Sequence, residues 1–475
     1  MTAPRLRRSA PAPKPGVVHL GLGAFFRAHG AVYLQDVMAR EGGDWGVIGV
    51  SLQRPDQRDR LKPQDCVYTA VEKRPDGDAP RVIDCVVDVL VAPENPGAVV
   101  AAMADPAIRI VTLTVTEKGY CHIPATGRLN REHPGVVHDL AHPDAPVTAP
   151  GFLVAALARR RAAGLRPFTV LCCDNLPSNG HVVRGLTLEL AAARDQGLAD
   201  WIAAEGAFPC TMVDRIVPAT RPEDTAALEA AAGWSDAAPV VHEPFRQWVI
   251  EDRFVDGARP DFAAVGARFT DDVAAFEHMK LRMLNGAHSS LAYLGHIAGV
   301  ETIHGAVSDP VLAGFVRGFW AEEVIPTLAT PPGADLPAYA DALFDRFANP
   351  AIRHLTWQIA MDGSQKLPQR LMGTARDLLA ANRPLPRLAL AVAGWMAYVG
   401  GKDEAGRPID VRDPLAERLR ALSAGKAPAE RVANLLTVRE IFGDDLPADP
   451  RFASAVAEAA QALAAMGARG AAAAI

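Results

Sequence analysis

The sequence predicts an α/β fold, with a doubly wound parallel sheet in the first half of the chain followed by an all-helical domain. In the first half, short apolar runs bounded by turn residues alternate with stretches of helical composition. After about residue 270, long segments rich in Ala, Leu, Arg and Glu continue to the end with only short Gly or Pro breaks. Strands that alternate with helices pair in parallel through right-handed crossovers. We therefore expect a flexible arm over residues 1–15, an α/β domain over 16–270 and a helical domain over 271–475.

The predicted elements of the α/β domain follow the chain in the order that a parallel sheet requires. Each strand is a run rich in Val, Ile, Leu or Thr, and each helix is a longer stretch in which apolar and polar residues mix. The strands are predicted at 17–21, 46–52, 108–114 and 168–173, and the helices at 28–40, 96–103, 152–163 and 182–196. Residues 67–71 and 81–90 alternate like a hairpin, which we interpret as an insertion or an antiparallel edge.

Composition and charge exclude several classes of protein. The chain has 475 residues, a formal net charge of -6 and 49% hydrophobic residues, which give no basic face for nucleic acid or an anionic membrane. The first fifteen residues lack the apolar core of a signal peptide, and no apolar run reaches the roughly 18 residues of a membrane-spanning helix. The six cysteines show no metal-ligand spacing and are expected to be reduced thiols in a cytoplasmic protein.

Two glycines follow the first predicted strand and open a helix, in the segment Gly21-Leu-Gly23-Ala-Phe25-Phe-Arg27. Gly21 would make the tight turn, and Gly23 would let the backbone approach a pyrophosphate, whose charge the start of the next helix favours. The third glycine of the usual fingerprint is absent. The strand-turn-helix context nevertheless predicts a Rossmann-type dinucleotide-binding domain.

The end of the second strand bears on the choice of coenzyme. An acidic residue there would bind the ribose hydroxyls of NAD, whereas this chain has Gln53-Arg54-Pro-Asp56. Gln53 or Asp56 would take the ribose hydroxyls, and Arg54 would equally suit the 2′-phosphate of NADP. We expect NAD, with NADP as the open alternative. No metal is expected, because the His-x3-His pair of His138 and His142 has no companion ligands.

Four polar groups share one face of the helix predicted around Lys280. At about 100° per residue, Glu277, Lys280, Asn285 and His288 fall within an arc of roughly 140°. Intervening leucines make this face partly apolar, so an amine on it would be desolvated and its pKa lowered toward neutral, as an acid or base requires. The alternative is an exposed helix with an ion pair between Glu277 and Lys280.

Six sequence blocks occur together, in one order, over roughly residues 15–400. They are Gly21-x-Gly23-x-Phe25-x-Arg27-Ala-His29, Thr114-Val-Thr-Glu117-Lys-Gly-Tyr120, Cys173-Asp-Asn175-Leu-Pro-Ser-Asn179, Met212-Val-Asp214-Arg-Ile, Lys280-x4-Asn285-x2-His288 and Asp362-Gly-Ser-Gln-Lys366-Leu-Pro-Gln-Arg370. Jointly they resemble the polyol-specific long-chain dehydrogenase/reductase family, also called the mannitol dehydrogenase family. The resemblance implies a Rossmann-type domain, a helical C-terminal domain, an active site between the domains and metal-independent hydride transfer. We expect a monomer or a small homo-oligomer.

The resemblance also implies a role for each motif residue. Lys280 would be the acid/base, Asn175 and Asn285 would hold the reacting oxygen, and His288 would orient the substrate. Glu117 and Glu277 resemble the carboxylates placed near that lysine, and Asp214 lies in the block at the substrate end of the nicotinamide pocket. The residues expected to bind the coenzyme are Gly21, Gly23, Phe25, Arg27, Gln53 and Asp56.

The predicted substrate is a hexuronate ketose reduced with NADH, that is, fructuronate reduced to D-mannonate. A substrate carboxylate requires a cation nearby, and Lys366 and Arg370 lie in the helical domain, where the resemblance puts the substrate. Because Pro368 would interrupt a helix, we expect these two cations on a loop and a helix start. Members of the mannitol group often have His where this chain has Phe26, which favours the hexuronate. The alternatives are mannitol 2-dehydrogenase, another polyol or hexuronate dehydrogenase and, in a different class, a non-catalytic nucleotide-binding protein.

Overall fold

The computed structural model describes residues 3–123 and 126–475, and the chain forms two compact units. Unit 1 ends at Ala274, and unit 2 runs over Ala275–Ile475.

A parallel sheet forms the centre of unit 1. Among the described residues, the strands are β1 Pro15–Leu20, β2 Gly46–Ser51, β3 Tyr68–Arg74, β4 Gly77–Ile83, β5 Val86–Val91, β6 Ile110–Leu113, β7 Thr169–Cys172, β8 Thr211–Asp214, β9 Val240–His242, β10 Gln247–Ile250 and β11 Arg268–Phe269. The main sheet has the order β5-β2-β1-β6-β7, and all of its pairings are parallel. The chain thus builds the sheet outward in both directions from β1, which confirms the predicted doubly wound fold. Such sheets bind ligands at the carboxyl ends of the strands, where the order reverses.

Helices cover both faces of the main sheet. The described helices of unit 1 are α1 Ala24–Ala28, α2 Gly30–Glu41, α3 Asp56–Leu61, α4 Pro96–Ala104, α5 Pro134–Ala141, α6 Ala149–Ala162, α7 Asn179–Arg194, α8 Gln196–Glu205 and α9 Pro222–Ala232, with 3-10 turns at Lys62–Gln64, Glu117–Tyr120, Val255–Gly257 and Phe262–Val265. Side chains of β1 alternate between two cores: Val17 packs in the core that contains α2, whereas Val18 and Leu20 pack in the core that contains α6 and α7. This alternation explains why the strand reads as a continuous apolar run.

The prediction for residues 67–91 was partly wrong. Strands β3 and β4 do form an antiparallel hairpin, and β9 joins β3 in parallel to make a separate three-stranded sheet. The second predicted run, 81–90, is however two strands, because β4 ends at Ile83 and β5 is the outer parallel strand of the main sheet, beside β2. Val86 and Val89 are fully buried there, so the apolar run belongs to the main core. A third sheet has the order β11-β10-β8.

Part of the N-terminal arm, expected to be flexible, is held against unit 1. The Leu6 N–H donates to the Ser235 carbonyl at 2.9 Å, and the Leu6 side chain is buried. The Arg8 guanidinium donates to the carbonyls of Asp84 and Val86, both at 2.6 Å. Arg8 of the arm therefore provides donors for backbone carbonyls at the start of β5.

Unit 2 is built from helices, as predicted. The α-helices from residue 273 on are α10 Val273–Met279, α11 Ala287–Ile297, α12 Ile303–Ser308, α13 Pro310–Gly318, α14 Leu336–Phe347, α15 Thr356–Ala360, α16 Gly363–Leu367, α17 Gly373–Ala380, α18 Pro386–Val399, α19 Ala416–Ser423, α20 Pro428–Leu435, α21 Arg439–Phe442, α22 Asp445–Ala448 and α23 Pro450–Ala473. A 3-10 turn spans Ile325–Thr327, and three π-helical segments interrupt the α-helices: π1 Lys280–Gly286, π2 Phe319–Val324 and π3 Pro368–Met372. Segments of this kind are rare and concentrate at functional sites.

All six cysteines are buried thiols. Burial raises the pKa of the Cys66 thiol to about 11, and the Cys172 and Cys173 thiols are shifted in the same direction by the same cause. Over residues 3–123 and 126–475, no helix has the length and apolar character needed to span a membrane.

Candidate active site

The glycine turn lies at the carboxyl end of the central strand β1. Gly21 has φ +90°, and a Cβ there would lie 2.2 Å from the carbonyl oxygen of Thr114. The N–H groups of Gly21 and Leu22 both donate to the Val50 carbonyl, at 2.9 and 3.1 Å, which fixes the turn to the end of β2. At Gly23, by contrast, the nearest atom that a Cβ would meet is the Gly21 oxygen at 3.7 Å. The turn therefore leaves an open backbone surface at Gly23, which fits the approach of a dinucleotide pyrophosphate.

The rest of the first block serves packing. Phe26 is buried and stacks on His19 at 3.5 Å between ring centroids, and burial lowers the His19 pKa to about 3. Arg27, expected to bind coenzyme, is buried, and its guanidinium donates to the carbonyl of Ala238. Phe25 is half-buried and stacks on His29 at 5.0 Å. The structure thus brings Gly21 and Gly23 together at the turn but directs the guanidinium of Arg27 toward Ala238.

The residues expected to bind the adenosine ribose follow β2. Gln53 and Asp56 are both exposed, and Asp56 begins helix α3. Arg54 lies between them and is exposed as well. Because β2 pairs directly with β1, these side chains follow the strand next to the glycine turn. The amide and the carboxylate suit the ribose hydroxyls of NAD, and the guanidinium suits the 2′-phosphate of NADP.

Asp174 organises the loops that carry Asn175 and Glu117. Its carboxylate accepts the N–H of Val115 at 2.8 Å and the N–H of Thr116 at 3.1 Å, and the Tyr120 hydroxyl donates to it at 2.6 Å. Burial raises the Asp174 pKa, and these three hydrogen bonds oppose that shift. The carboxylate therefore ties the loop after β6 to the end of β7, and Asn175 and Glu117 are exposed on these tied loops.

Asn179 and Asp214 extend this edge to β8. The Asn179 amide donates to the carbonyls of Cys172 and Thr211 at 3.1 and 2.9 Å and accepts the Thr211 N–H at 2.9 Å. It thus joins the end of β7 to the start of β8. Asp214 is the last residue of β8, is buried, and lies opposite Gln247 of β10 in the antiparallel register.

In unit 2, Lys280 begins segment π1 within a helical stretch from α10 to α11. Lys280, Glu277 and His288 are buried and Asn285 is half-buried, which excludes the alternative of an exposed helix. The arc of roughly 140° assumed 3.6 residues per turn. That spacing does not hold through π1, because a π-helix has a wider turn, and Asn285 and His288 are rotated relative to the expected positions.

His288 lies among aromatic rings and cations. Its ring stacks on Phe347 at 4.4 Å and meets His354 edge-on at 4.6 Å. Burial lowers the His288 pKa well below its usual value, and the neighbouring His354, Arg346, Arg370 and Lys366 lower it further. His288 is therefore a neutral imidazole near neutral pH.

The block from Asp362 to Arg370 forms one helical stretch rather than a loop and a helix start. Lys366 belongs to α16 and Arg370 to π3, which follows α16 directly. Pro368 begins π3, and the wider turn accommodates a residue that lacks an N–H. The Lys366 amine donates to the Ile359 carbonyl at 3.1 Å, and the Arg370 guanidinium donates to the Ser289 hydroxyl at 3.0 Å. Arg370 thus contacts the residue after His288, and both cations lower the His288 pKa.

Two residues near His288 were missed by the sequence reasoning. Arg346 is buried near the end of α14, and His354 lies in the loop before α15. No fixed spacing connects them to His288 in the sequence, because separate elements bring them together. For Arg346 the sequence offered one signal, which is an arginine among apolar residues near the end of a helix.

Potential metal ligands meet at one place among the described residues, in unit 1. The ligand atoms of His181, Cys210 and Glu251 lie within 4.8 Å of one another. Glu251 accepts the backbone N–H of Cys210 at 3.0 Å and pairs with Arg253 at 3.2 Å, so hydrogen bonds within the protein already engage its carboxylate. The sequence did not indicate this group, because its members come from three different segments.

Comparison with known proteins gives matches along almost the whole chain. The model of the mannitol dehydrogenase Rossmann domain matches residues 15–263, and that of the mannitol dehydrogenase C-terminal domain matches residues 272–464. D-mannonate oxidoreductase of Escherichia coli (strain K12) is 48% identical over 458 residues, which cover 95% of this chain and 94% of the relative. Mannitol 2-dehydrogenase of Aspergillus terreus is 43% identical over 463 residues, which cover 95% of this chain and 91% of the relative.

A solved structure gives the same result. Pseudomonas fluorescens mannitol 2-dehydrogenase, in a ternary complex with NAD and D-mannitol, superposes with a TM-score of 0.88 at 41% identity. The match covers 99% of this chain and 96% of that chain. Both family models and a full-length fold match therefore agree, and the chain belongs to the mannitol dehydrogenase family of oxidoreductases, which act on a secondary alcohol of sugar substrates.

Proposed function

We propose that this protein is an NAD-dependent fructuronate reductase, that is, a D-mannonate oxidoreductase. One observation carries the choice of a sugar acid: the Arg370 guanidinium donates to the hydroxyl of Ser289, next to the buried His288, and both Arg370 and Lys366 lower the His288 pKa. A carboxylate substrate would be attracted by such cations, whereas a neutral polyol gains little from them. The E. coli relative named D-mannonate oxidoreductase supports the same choice.

The proposed chemistry gives a role to each motif residue. A bound nicotinamide would supply the hydride for the ketone carbon. Lys280, as the ammonium, donates a proton to the oxygen of that carbon during reduction, and as the neutral amine it removes the hydroxyl proton during oxidation. The amides of Asn175 and Asn285 donate hydrogen bonds to the oxygen as negative charge develops on it. His288, with a lowered pKa, orients a substrate hydroxyl without adding a further positive charge.

Glu117, Glu277 and Asp214 are assigned to the polar surroundings of the reaction. Glu277 is buried one helical turn before Lys280, and Asp214 is buried at the end of β8. Glu117 is exposed on the loop that Asp174 holds. We propose that Glu277 and Glu117 exchange protons with the lysine and that Asp214 binds a substrate hydroxyl.

Mannitol 2-dehydrogenase activity is the second candidate. It is supported by the A. terreus relative and by the P. fluorescens structure, whose ternary complex contains D-mannitol. Hydrogen bonds to Ile359 and Ser289 also give Lys366 and Arg370 roles inside the protein that require no acid substrate.

A spectrophotometric panel tests the proposal. Fructuronate, tagaturonate, fructose and xylulose are each reduced with NADH and with NADPH, and fructuronate with NADH should give the highest kcat/KM. Lys366→Met and Arg370→Met should lose more activity on fructuronate than on fructose. The control is Lys426→Met, which removes an exposed amine paired with Glu430. A preference for fructose, or equal losses on both substrates, would promote the second candidate.

A further inference from the structure

Two buried imidazole nitrogens in unit 2 have no hydrogen-bond partner among the described residues. They are Nε2 of His288 and Nδ1 of His354. Buried polar atoms are nearly always hydrogen-bonded in proteins, because leaving one unpaired costs the free energy of its desolvation. The two rings meet edge-on, with centroids 4.6 Å apart and an angle of 82° between their planes. We call them the histidine pair.

The position of His354 is fixed by its backbone. Its N–H donates to the Ile352 carbonyl at 2.9 Å, and its carbonyl accepts the N–H of Ile303 at 3.0 Å. Backbone hydrogen bonds therefore hold the loop that carries the His354 ring, and Nδ1 has no partner among the described residues.

Cations act on both rings of the histidine pair. Burial, together with the smaller effects of Arg346 and Lys366, lowers the pKa of His354 to about 4. The same two cations, together with Arg370, act on His288. These cations have other contacts as well, and they add to the burial that keeps both rings neutral. A neutral imidazole can still donate one N–H, so the surroundings combine several cations with two uncharged hydrogen-bonding groups.

We propose that His354 and Arg346 recognise the acid end of the substrate and determine the preference for a hexuronate over a neutral ketose. The inference rests on the proposed function and extends it to two residues outside the family motifs quoted above. A substrate carboxylate would bind against Arg346 and Lys366, and one of its oxygens would accept the N–H of His354. A carboxylate has enough lone pairs to accept from this set of donors, and its negative charge is attracted to the cations. A neutral hydroxymethyl group in the same position would lack that charge.

Kinetics of His354 variants test the proposal. His354→Leu removes the ring nitrogens at similar volume, whereas His354→Asn restores an amide donor. With saturating NADH, His354→Leu should raise KM for fructuronate about tenfold or more, since a hydrogen bond to a charged group is lost. Its kcat should change little, and KM for fructose should stay the same. His354→Asn should recover most of the affinity for fructuronate.

A matched pair of arginine variants separates a local effect from net charge. Arg346→Gln should raise KM for fructuronate selectively, and Arg346→Lys should recover part of the loss. Arg353→Gln removes the same charge one residue before His354, but Arg353 is half exposed and pairs with Glu301, so both KM values should remain as in wild type. Thermal unfolding of each variant checks that it folds. If Arg346→Gln does not fold, the kinetics of the His354 variants test the proposal.

The outcomes distinguish the inference from the proposed function. If wild type prefers fructose, the proposed function fails and this inference fails with it. If wild type prefers fructuronate but the His354 variants lose both substrates equally, lose only kcat, or lose nothing, His354 does not recognise the acid end and the proposed function stands. A rise in KM confined to fructuronate, with recovery in His354→Asn, supports both.

Discussion

At the scale of single residues, the two glycines of the turn after β1 have different physical roles. Gly21→Ala would place a methyl group against the Thr114 carbonyl at a φ of +90°. Strain of this kind costs on the order of 1–3 kcal/mol, and the clash adds to it, so we expect a clear loss in the free energy of unfolding. Gly23→Ala meets no atom closer than 3.7 Å and has φ -99°, so its stability should stay near wild type.

The same pair tests the coenzyme site. If the pyrophosphate lies over Gly23, the added methyl group should weaken NADH binding about tenfold or more without changing thermal stability. Fluorescence titration with NADH and thermal unfolding of both variants measure the two effects. Normal NADH affinity in Gly23→Ala would remove the turn from the coenzyme site.

The two asparagines are the residues whose effect should appear only during the reaction. Asn175→Ala and Asn285→Ala should each lower kcat on the order of a hundredfold, because each amide stabilises an oxygen that gains charge in the transition state. Affinity for NADH should change little. Steady-state kinetics at saturating coenzyme measure this effect, and a rise in KM with unchanged kcat would show that the amides bind the ground state equally well.

At the scale of elements, π2 and α18 are joined by a buried carboxylate. Glu323 of π2 accepts the N–H groups of Arg387 and Leu388, each at 2.7 Å, and so caps the first turn of α18. Burial raises the Glu323 pKa from 4.5 to about 7, although these hydrogen bonds oppose the shift. The folded chain therefore keeps a proton that the unfolded chain has released at pH values between these two limits.

This difference predicts how stability depends on pH. The contribution of Glu323 to the free energy of unfolding is fully present below pH 4.5 and is lost as pH rises through 7. The pKa shift of Glu323 corresponds to a contribution of roughly 3 kcal/mol. Denaturant titrations from pH 5 to 8 should show this decline in wild type, and Glu323→Gln should lack that component. If the free energies of unfolding of wild type and Glu323→Gln changed with pH in the same way, the Glu323 carboxyl would have an ordinary pKa.

At the scale of the whole molecule, the proposed coenzyme and proton-transfer functions belong to different units. Gly21 and Gly23 lie in unit 1, and Lys280 lies in unit 2. Lys280→Ala should therefore lose on the order of a hundredfold to ten-thousandfold in kcat, as expected for a general acid or base, while NADH still binds. Turnover near the wild-type value at neutral pH would reject the acid/base assignment, and a parallel loss of NADH affinity would show that Lys280 also supports the coenzyme site.

The sequence by itself determined the class of fold and the order of its parts. Buried parallel strands such as β1 read as apolar runs, because both faces of the sheet are covered, and helices have their own periodicity. Short motifs also indicated the Gly21 turn and the buried face around Lys280, because those residues are close in the chain. Tertiary structure decided what depends on distant residues: β5 joined the main sheet, Arg27 reached Ala238, and Arg346 and His354 came to lie beside His288. Contacts of this kind follow from packing between elements, which no local spacing encodes.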